Sequence, residues 1–205
     1  MRGPVTIAVT GPFASGKSTL VRLLGERPNT ETASADEMVH HLLKNDDKTI
    51  SRIVERFGED VRGSDGIDRK ALGREVFGNT EALRDLEDIL HPLVRDETDR
   101  RIEASGADMF VVEIPLLFET DRDRDFDYTV AVTVPEERRR GWSGERGVDD
   151  AALEAIESRQ LTGEEKAGRA DLVVQNDGDL DRLREQAEGI GRKILGERGS
   201  HGHLR

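Results

Sequence analysis

Gly11-Pro12-Phe13-Ala14-Ser15-Gly16-Lys17-Ser18 spells G-x-x-x-x-G-K-[ST], one residue beyond the apolar run Val5–Val9. In a loop of this composition the backbone N–H groups turn inward around the α- and β-phosphates of a nucleotide. The lysine reaches the β- and γ-oxygens, and the final hydroxyl takes a Mg²⁺ coordination position. Gly11, Ala14, Ser15, Gly16, Lys17, Ser18 and Thr19 are therefore the expected nucleotide contacts, with Ser18 also the expected metal ligand. A helix over Ser18–Glu26 would turn the positive end of its dipole toward the same phosphates. Leu20, Leu23 and Leu24 fall on one face of that helix, and Gly25 and Pro28 end it.

Outward from the loop, the strands are short and apolar. Val5–Val9 is β-branched and nearly unbroken, as suits a strand buried on both faces of a parallel sheet. Met109–Pro115 and Tyr128–Val134 are of the same type, Leu172–Val174 is shorter, and Thr30–Ala35 is the weakest of the five. Ser34-Ala35-Asp36-Glu37 reads as a capping box that opens a helix running through Leu43. From Asp46 to Ser105 the pattern is helical, broken at Gly58, at Arg62–Asp65 and at Gly78, and carries no strand signal. Ile50, Ile53, Val54 and Phe57 recur at helical spacing, as do Leu83, Leu86, Ile89 and Leu90. A closing helix is expected from Asp179 to about Leu195. Strands alternating with helices predict an α/β, three-layer P-loop NTPase fold: a five-stranded parallel sheet with right-handed connections, a helical acceptor-binding region and a lid.

With 205 residues the chain supports one core with a small insertion better than two independent domains. The expected layout is a single domain over 1–200, with its core in 1–35 and 106–196, the helical region at about 36–105 and a disordered tail at 197–205. His201 and His203 in that tail could suggest metal binding, but a disordered terminus is the expectation. The absence of cysteine excludes disulfides and thiolate metal centres. The apolar stretch near the N-terminus is too short for a signal peptide or a membrane span, so a cytoplasmic location is the expectation. A formal net charge of -12 argues against nucleic acid as a partner, because phosphate backbones are held by basic surface. Neither a nucleic-acid nor a membrane partner is expected, and the chain should be a monomer or a weak homo-oligomer.

Pro135–Gly147 carries Arg138, Arg139, Arg140 and Arg146, with Gly141, Gly144 and Gly147 as possible hinges. That composition fits a lid over about 135–150 that closes on a triphosphate, excludes water and brings arginine to the migrating phosphoryl group.

Several further segments resemble the dephospho-CoA kinase family. They are Ala35-Asp36-Glu37-Met38-Val39-His40, Phe57-Gly58-Glu59-Asp60, Asp65-Gly66-Ile67-Asp68-Arg69-Lys70-Ala71-Leu72-Gly73 with Val76-Phe77, His91-Pro92, Ile114-Pro115-Leu116-Leu117-Phe118-Glu119, and Ala170-Asp171 with Asn176-Asp177-Gly178. With the phosphate loop they span nearly the whole chain in the family's order. The resemblance implies ATP and Mg²⁺ as cofactors and transfer of the γ-phosphate to the ribose 3′-hydroxyl of dephospho-CoA. It makes Asp36 the catalytic base, with Lys17 and a lid arginine, taken as Arg140, as catalytic partners and Arg146 on the nucleotide, while which lid arginine reaches the transferring phosphate stays open. His40, Arg69, Phe77 and His91, with Asp36, become the acceptor contacts, and Glu113 a metal contact through water. The chain departs from the family at Pro12 and Ala14, where glycines are usual, at Ser34 in place of the first acid of D-A-D, and in the lid. The usual Q-x-x-R-x-x-x-R there fits Arg138–Arg146 only in a shifted register. Two other readings stay open: a kinase for a different small hydroxyl acceptor, and a nucleotide-dependent switch, although no base-selecting N-K-x-D segment is present.

Overall fold

The structure is a computed structural model that describes residues 3–200. The chain opens with β1 (Val5–Thr10), α1 (Lys17–Gly25) and β2 (Thr30–Ser34), then enters α2 (Ala35–Asn45) and α3 (Asp47–Phe57). Two-residue strands β3 (Arg62–Gly63) and β4 (Gly66–Ile67) precede α4 (Arg69–Val76) and the long α5 (Thr80–Ala104). There follow β5 (Met109–Glu113), β6 (Tyr128–Thr133), α6 (Glu136–Glu145), α7 (Asp150–Glu157), α8 (Gly163–Arg169), β7 (Leu172–Gln175) and α9 (Leu180–Ser200). The chain divides into two compact units, one of residues 3–33 with 105–200 and one of residues 34–104.

The first unit holds the sheet, in the order β2-β5-β1-β6-β7. β1 is its centre: Val9 pairs with Glu113 of β5 and Thr10 with Ala131 of β6, both in parallel register, and all six β1 residues are buried. That double burial is why the strand shows no polar alternation. On one face Leu20, Leu23 and Leu24 of α1 and Leu183, Ala187 and Ile194 of α9 close over Ile7, Val9, Val111 and Val130. Each Leu, Ile or Val among them contributes about 1.5–3 kcal/mol on burial. Register is pinned by two reciprocal clamps. Asp127 accepts from the backbone N–H and hydroxyl of Thr6 at 2.8 and 3.0 Å, and Thr6 Oγ accepts the Asp127 N–H at 3.0 Å. Asp171 and Thr129 repeat the arrangement, with both donations to Asp171 at 2.7 Å and the return bond at 3.0 Å.

The second unit packs Leu43, Ile50, Ile53, Val54, Leu72, Ile89 and Leu90 into its own core. Ser34 caps α2 by accepting the Glu37 N–H, and Asp46 caps α3 by accepting the Thr49 N–H at 2.8 Å. The expectation of no strand in this block is corrected by the β3–β4 hairpin, whose two-residue strands are too short to show any period in sequence. Gly66 makes that hairpin possible: it sits at φ +93°, and a Cβ there would stand 2.5 Å from the Leu43 carbonyl oxygen. α5 passes through Pro92 as one 25-residue helix. α9 also exceeds its expected end: residues 197–200, expected in a disordered tail, belong to the helix, and 201–205 lie outside the described residues.

The extra turn of α9 supplies Glu197, whose Oε2 accepts from the hydroxyl of Tyr128, the chain's single tyrosine, at 2.7 Å. This bond to the neutral phenol, then burial, then the nearby carboxylates of Asp127 and Asp171, push Tyr128 from 10.0 up to about 12. A raised pKa favours the protonated folded state, so its contribution to stability is complete below about pH 10 and drains away between about 10 and 12. Phenolate absorbance of the folded protein should therefore show one transition near pH 12, moving toward 10 in Glu197→Gln. A parent midpoint near 10, with circular dichroism showing an intact fold, would contradict the assignment.

Candidate active site

The phosphate loop lies where β1 hands over to α1, between the strands that flank β1 on either side, the place at which open parallel sheets form a crevice. Gly11 has φ +151°, and a Cβ there would stand 2.5 Å from the Val132 carbonyl oxygen of β6. Only glycine lets the loop turn this close to the neighbouring strand. Gly16, at φ +91°, is the N-cap of α1, and the side-chain amide of Asn176 occupies the position its Cβ would take. Asn176 is buried; its Nδ2 donates to the Ser15 carbonyl at 2.9 Å and its Oδ1 accepts the Gly178 N–H at 3.2 Å. The β7–α9 turn thus braces the loop from behind. Ala14 stands in the left-handed region at φ +58°, a conformation that costs a non-glycine residue about 1–2 kcal/mol.

Within the loop, Pro12 lends its carbonyl to the Ser15 N–H at 3.2 Å and to Lys17 Nζ at 2.9 Å, which holds the ammonium over the cradle. Ser18 Oγ donates to Glu113 Oε1 at 3.1 Å. Glu113 is only 9% exposed, and it reaches Ser18 because β5 pairs directly with β1. A hydroxyl and a carboxylate side by side beneath a phosphate loop form the hard oxygen pair that Mg²⁺ takes together with substrate phosphates.

The expected lid segment contains α6, and α7 follows at its end. Gly141 and Gly144, expected hinges, are inside α6, whereas Gly147 follows it at φ +73°. Arg146 places its guanidinium 5.8 Å from the centre of the Phe13 ring and, with Trp142, Ala14, Thr19 and Asn176, lines a cleft of about 270 Å³ beside the loop. Arg139 turns the other way. It pairs with Glu157 and lines a cavity of about 660 Å³ with Pro12, Thr133, Leu161 and Gly163. Arg140, one position on, meets Glu136 at 3.0 Å with half of its side chain exposed. The helical phase of α6 therefore puts Arg139, and not Arg140, on the face that shares a cavity with the loop.

The expected acceptor residues belong to the helical unit. Asp36 is exposed in the first turn of α2. His40, also exposed, has its Nδ1 3.4 Å from Arg69 Nη1, so the ring engages Arg69 and not Asp36, which the four-residue spacing allows. Asp68 caps α4 by accepting the Lys70 and Ala71 N–H groups at 2.9 and 3.2 Å, and those bonds hold its carboxyl below the usual range. Phe77 is 83% exposed and lines a shallow cleft with Lys70, Gly73 and Arg74. His91 is exposed on α5.

The sequence names Arg139 among the lid arginines without ranking it, and gives no signal for Trp142, Lys166 or the bracing role of Asn176. Arg139 was one of three consecutive arginines with no sequence signal to rank them, and Asn176 read as an ordinary turn residue.

A parallel sheet with this loop, an oxygen pair under it and an arginine-bearing segment beside it defines a P-loop kinase of the small-molecule type. The model of the dephospho-CoA kinase family matches residues 5–182. A dephospho-CoA kinase of Symbiobacterium thermophilum is 39% identical over 198 residues, covering 94% of this chain and 82% of its own. Among solved structures, TT1252 from Thermus thermophilus superposes with a TM-score of 0.81 at 30% identity, covering 94% of this chain and 99% of that one. Dephospho-CoA kinase from Campylobacter jejuni gives 0.62 at 26%, with 92% and 96% covered. The chain belongs to the dephospho-CoA kinase family, and its activity is the ATP-dependent phosphorylation of dephospho-CoA.

Replacing Asn176 by Ala leaves the Ser15 carbonyl buried without a donor, which costs about 1–3 kcal/mol. Calorimetric titration should show ATP binding weakened about tenfold, by loss of loop order. Binding unchanged from the parent would mean that the loop keeps its shape without the brace.

Proposed function

We propose that the chain transfers the γ-phosphate of ATP to the ribose 3′-hydroxyl of dephospho-CoA by direct in-line displacement, with the roles of its residues as follows. The loop amides and Lys17 hold the triphosphate, and Arg146 with Phe13 flanks the nucleotide. Ser18 and Glu113 would hold Mg²⁺, which when bound neutralises charge on the β- and γ-oxygens. Arg139, in the cavity it shares with Pro12, is the arginine assigned to the migrating phosphoryl group in place of Arg140. Asp36 accepts the proton of the attacking hydroxyl, a role worth about 10²- to 10⁴-fold in rate, or about 3–5 kcal/mol. His40, Arg69, Phe77 and His91 bind the acceptor, the Arg69 fork meeting its phosphates.

The observation that carries this reading is the Ser18–Glu113 contact directly under the phosphate loop, in a chain that matches the family over residues 5–182. Among the described residues no helix is long and apolar enough to cross a membrane. Work in the cytoplasm, as a monomer or weak homo-oligomer, is part of the same proposal.

ADP release measured by a coupled assay should depend on dephospho-CoA and on Mg²⁺, and should not rise with adenosine or gluconate. Asp36→Asn should bind ATP as the parent does while kcat falls at least a hundredfold. Near-parental turnover in that variant would remove Asp36 from the proton transfer, and ADP release indifferent to the acceptor would sink the whole reading.

A further inference from the structure

Lys166 is the one lysine of the described chain with no exposed surface at all, its relative exposure being 0%. Lysine is almost never buried unless paired, and a buried pair is weak evidence of a stabilising role, since an apolar side chain of similar size does as well. Its bonds point elsewhere. Lys166 Nζ donates to the Pro115 carbonyl at 2.6 Å and meets Glu119 Oε1 at 2.8 Å. The same carboxylate oxygen accepts the Leu161 N–H at 2.7 Å. The second Glu119 oxygen is buried without a hydrogen-bond partner, an arrangement that packing alone does not call for.

The two ends of this network touch the two halves of the phosphoryl-transfer machinery. Pro115 comes two residues after Glu113, and its carbonyl also accepts from Thr10 Oγ, at the end of β1, at 3.1 Å. Leu161 immediately precedes the capping box with which Thr162 and Glu165 open α8, and it lines the same cavity as Arg139 and Pro12. One turn along α8, Arg169 donates to the Phe118 carbonyl at 3.3 Å and covers the Phe118 ring at 4.6 Å. Helix α8 therefore grips the segment after β5 at two points, and Glu119 ties that segment to the loop that leads from α7 into α8.

We propose that Lys166 and Glu119 are a buried positioning pair that sets the Glu113 end of β5 and the Arg139 side of the lid in one fixed relation, so that metal and arginine act on the same phosphate. This rests on the roles given above to Glu113 and Arg139. Neither Lys166 nor Glu119 touches the reacting atoms; both act through the backbone they hold.

The test uses the full chain and a double variant, Lys166→Met with Glu119→Leu, which removes both charges together and leaves neither buried alone. Three quantities are read: the melting temperature, the calorimetric affinity for ATP with and without Mg²⁺, and kcat with KM for dephospho-CoA. The double variant should melt within a few degrees of the parent. Its ATP affinity without Mg²⁺ and its KM for dephospho-CoA should be unchanged, its Mg²⁺-dependent gain in ATP affinity should shrink about tenfold, and kcat should fall about a hundredfold. A folded double variant with the parental Mg²⁺ dependence and kcat would overturn the proposal, as would one that fails to fold, which would make the pair part of the core. Failure of the underlying reading looks different, because the parent itself would then show no acceptor-dependent ADP release.

Discussion

Parallel pairing of β1 between β5 and β6 is the constraint on which the nucleotide site depends. The pairing with β5 sets Val9 opposite Glu113, and that register delivers a carboxylate to Ser18. The pairing with β6 brings the Val132 carbonyl under Gly11, which leaves the loop no room for a side chain at its first position. Backbone hydrogen bonds between buried strands are strictly matched, since an unpaired group there costs as much as a lost bond. A slip of one residue would therefore part Glu113 from Ser18 and lose the loop geometry together. The Thr6–Asp127 and Thr129–Asp171 clamps act against that slip at the other end of the strands.

Electrostatics around the site is local. A chain of net charge -12 repels a triphosphate at long range, so capture calls for cationic groups within a few ångströms of it, and the ones that lie beside the loop are Lys17, Arg139 and Arg146. Many remaining arginines are committed to exposed pairs such as Arg22–Glu26 and Arg192–Glu188, which contribute little and are screened by salt. Arg139 differs because its side chain is only 12% exposed and it shares a cavity with Pro12. Its pairing with Glu157 holds it in place in the segment that carries it.

What could be read from the chain followed from rules of short range. Val5–Val9 is apolar because a central parallel strand has no wet face, and Gly11 and Gly16 are glycines because each stands at positive φ against a neighbour. Asp68 at an N-cap and Ser34 before Glu37 follow from orphan N–H groups at helix starts. The misreadings have one origin in common. The β3–β4 hairpin is held by a close approach of Gly66 to the Leu43 carbonyl, a contact over 23 positions that no window of sequence contains. Gly141 and Gly144 read as hinges by composition, yet they lie within the helix α6.

By itself the sequence determined the strand–loop–helix that holds phosphate, the parallel sheet around it, the cap positions and the family to which the chain belongs. All of these are written in residue types and spacings that act within a turn or a strand. Only the tertiary structure decided which of three consecutive arginines faces the cavity, that Asn176 braces a loop 161 positions away, and that Lys166 lies buried against Pro115 and Glu119. Those outcomes depend on helical phase and on which distant backbone atoms a fold brings within 3 Å, quantities that exist only once the sheet has closed and its helices have packed.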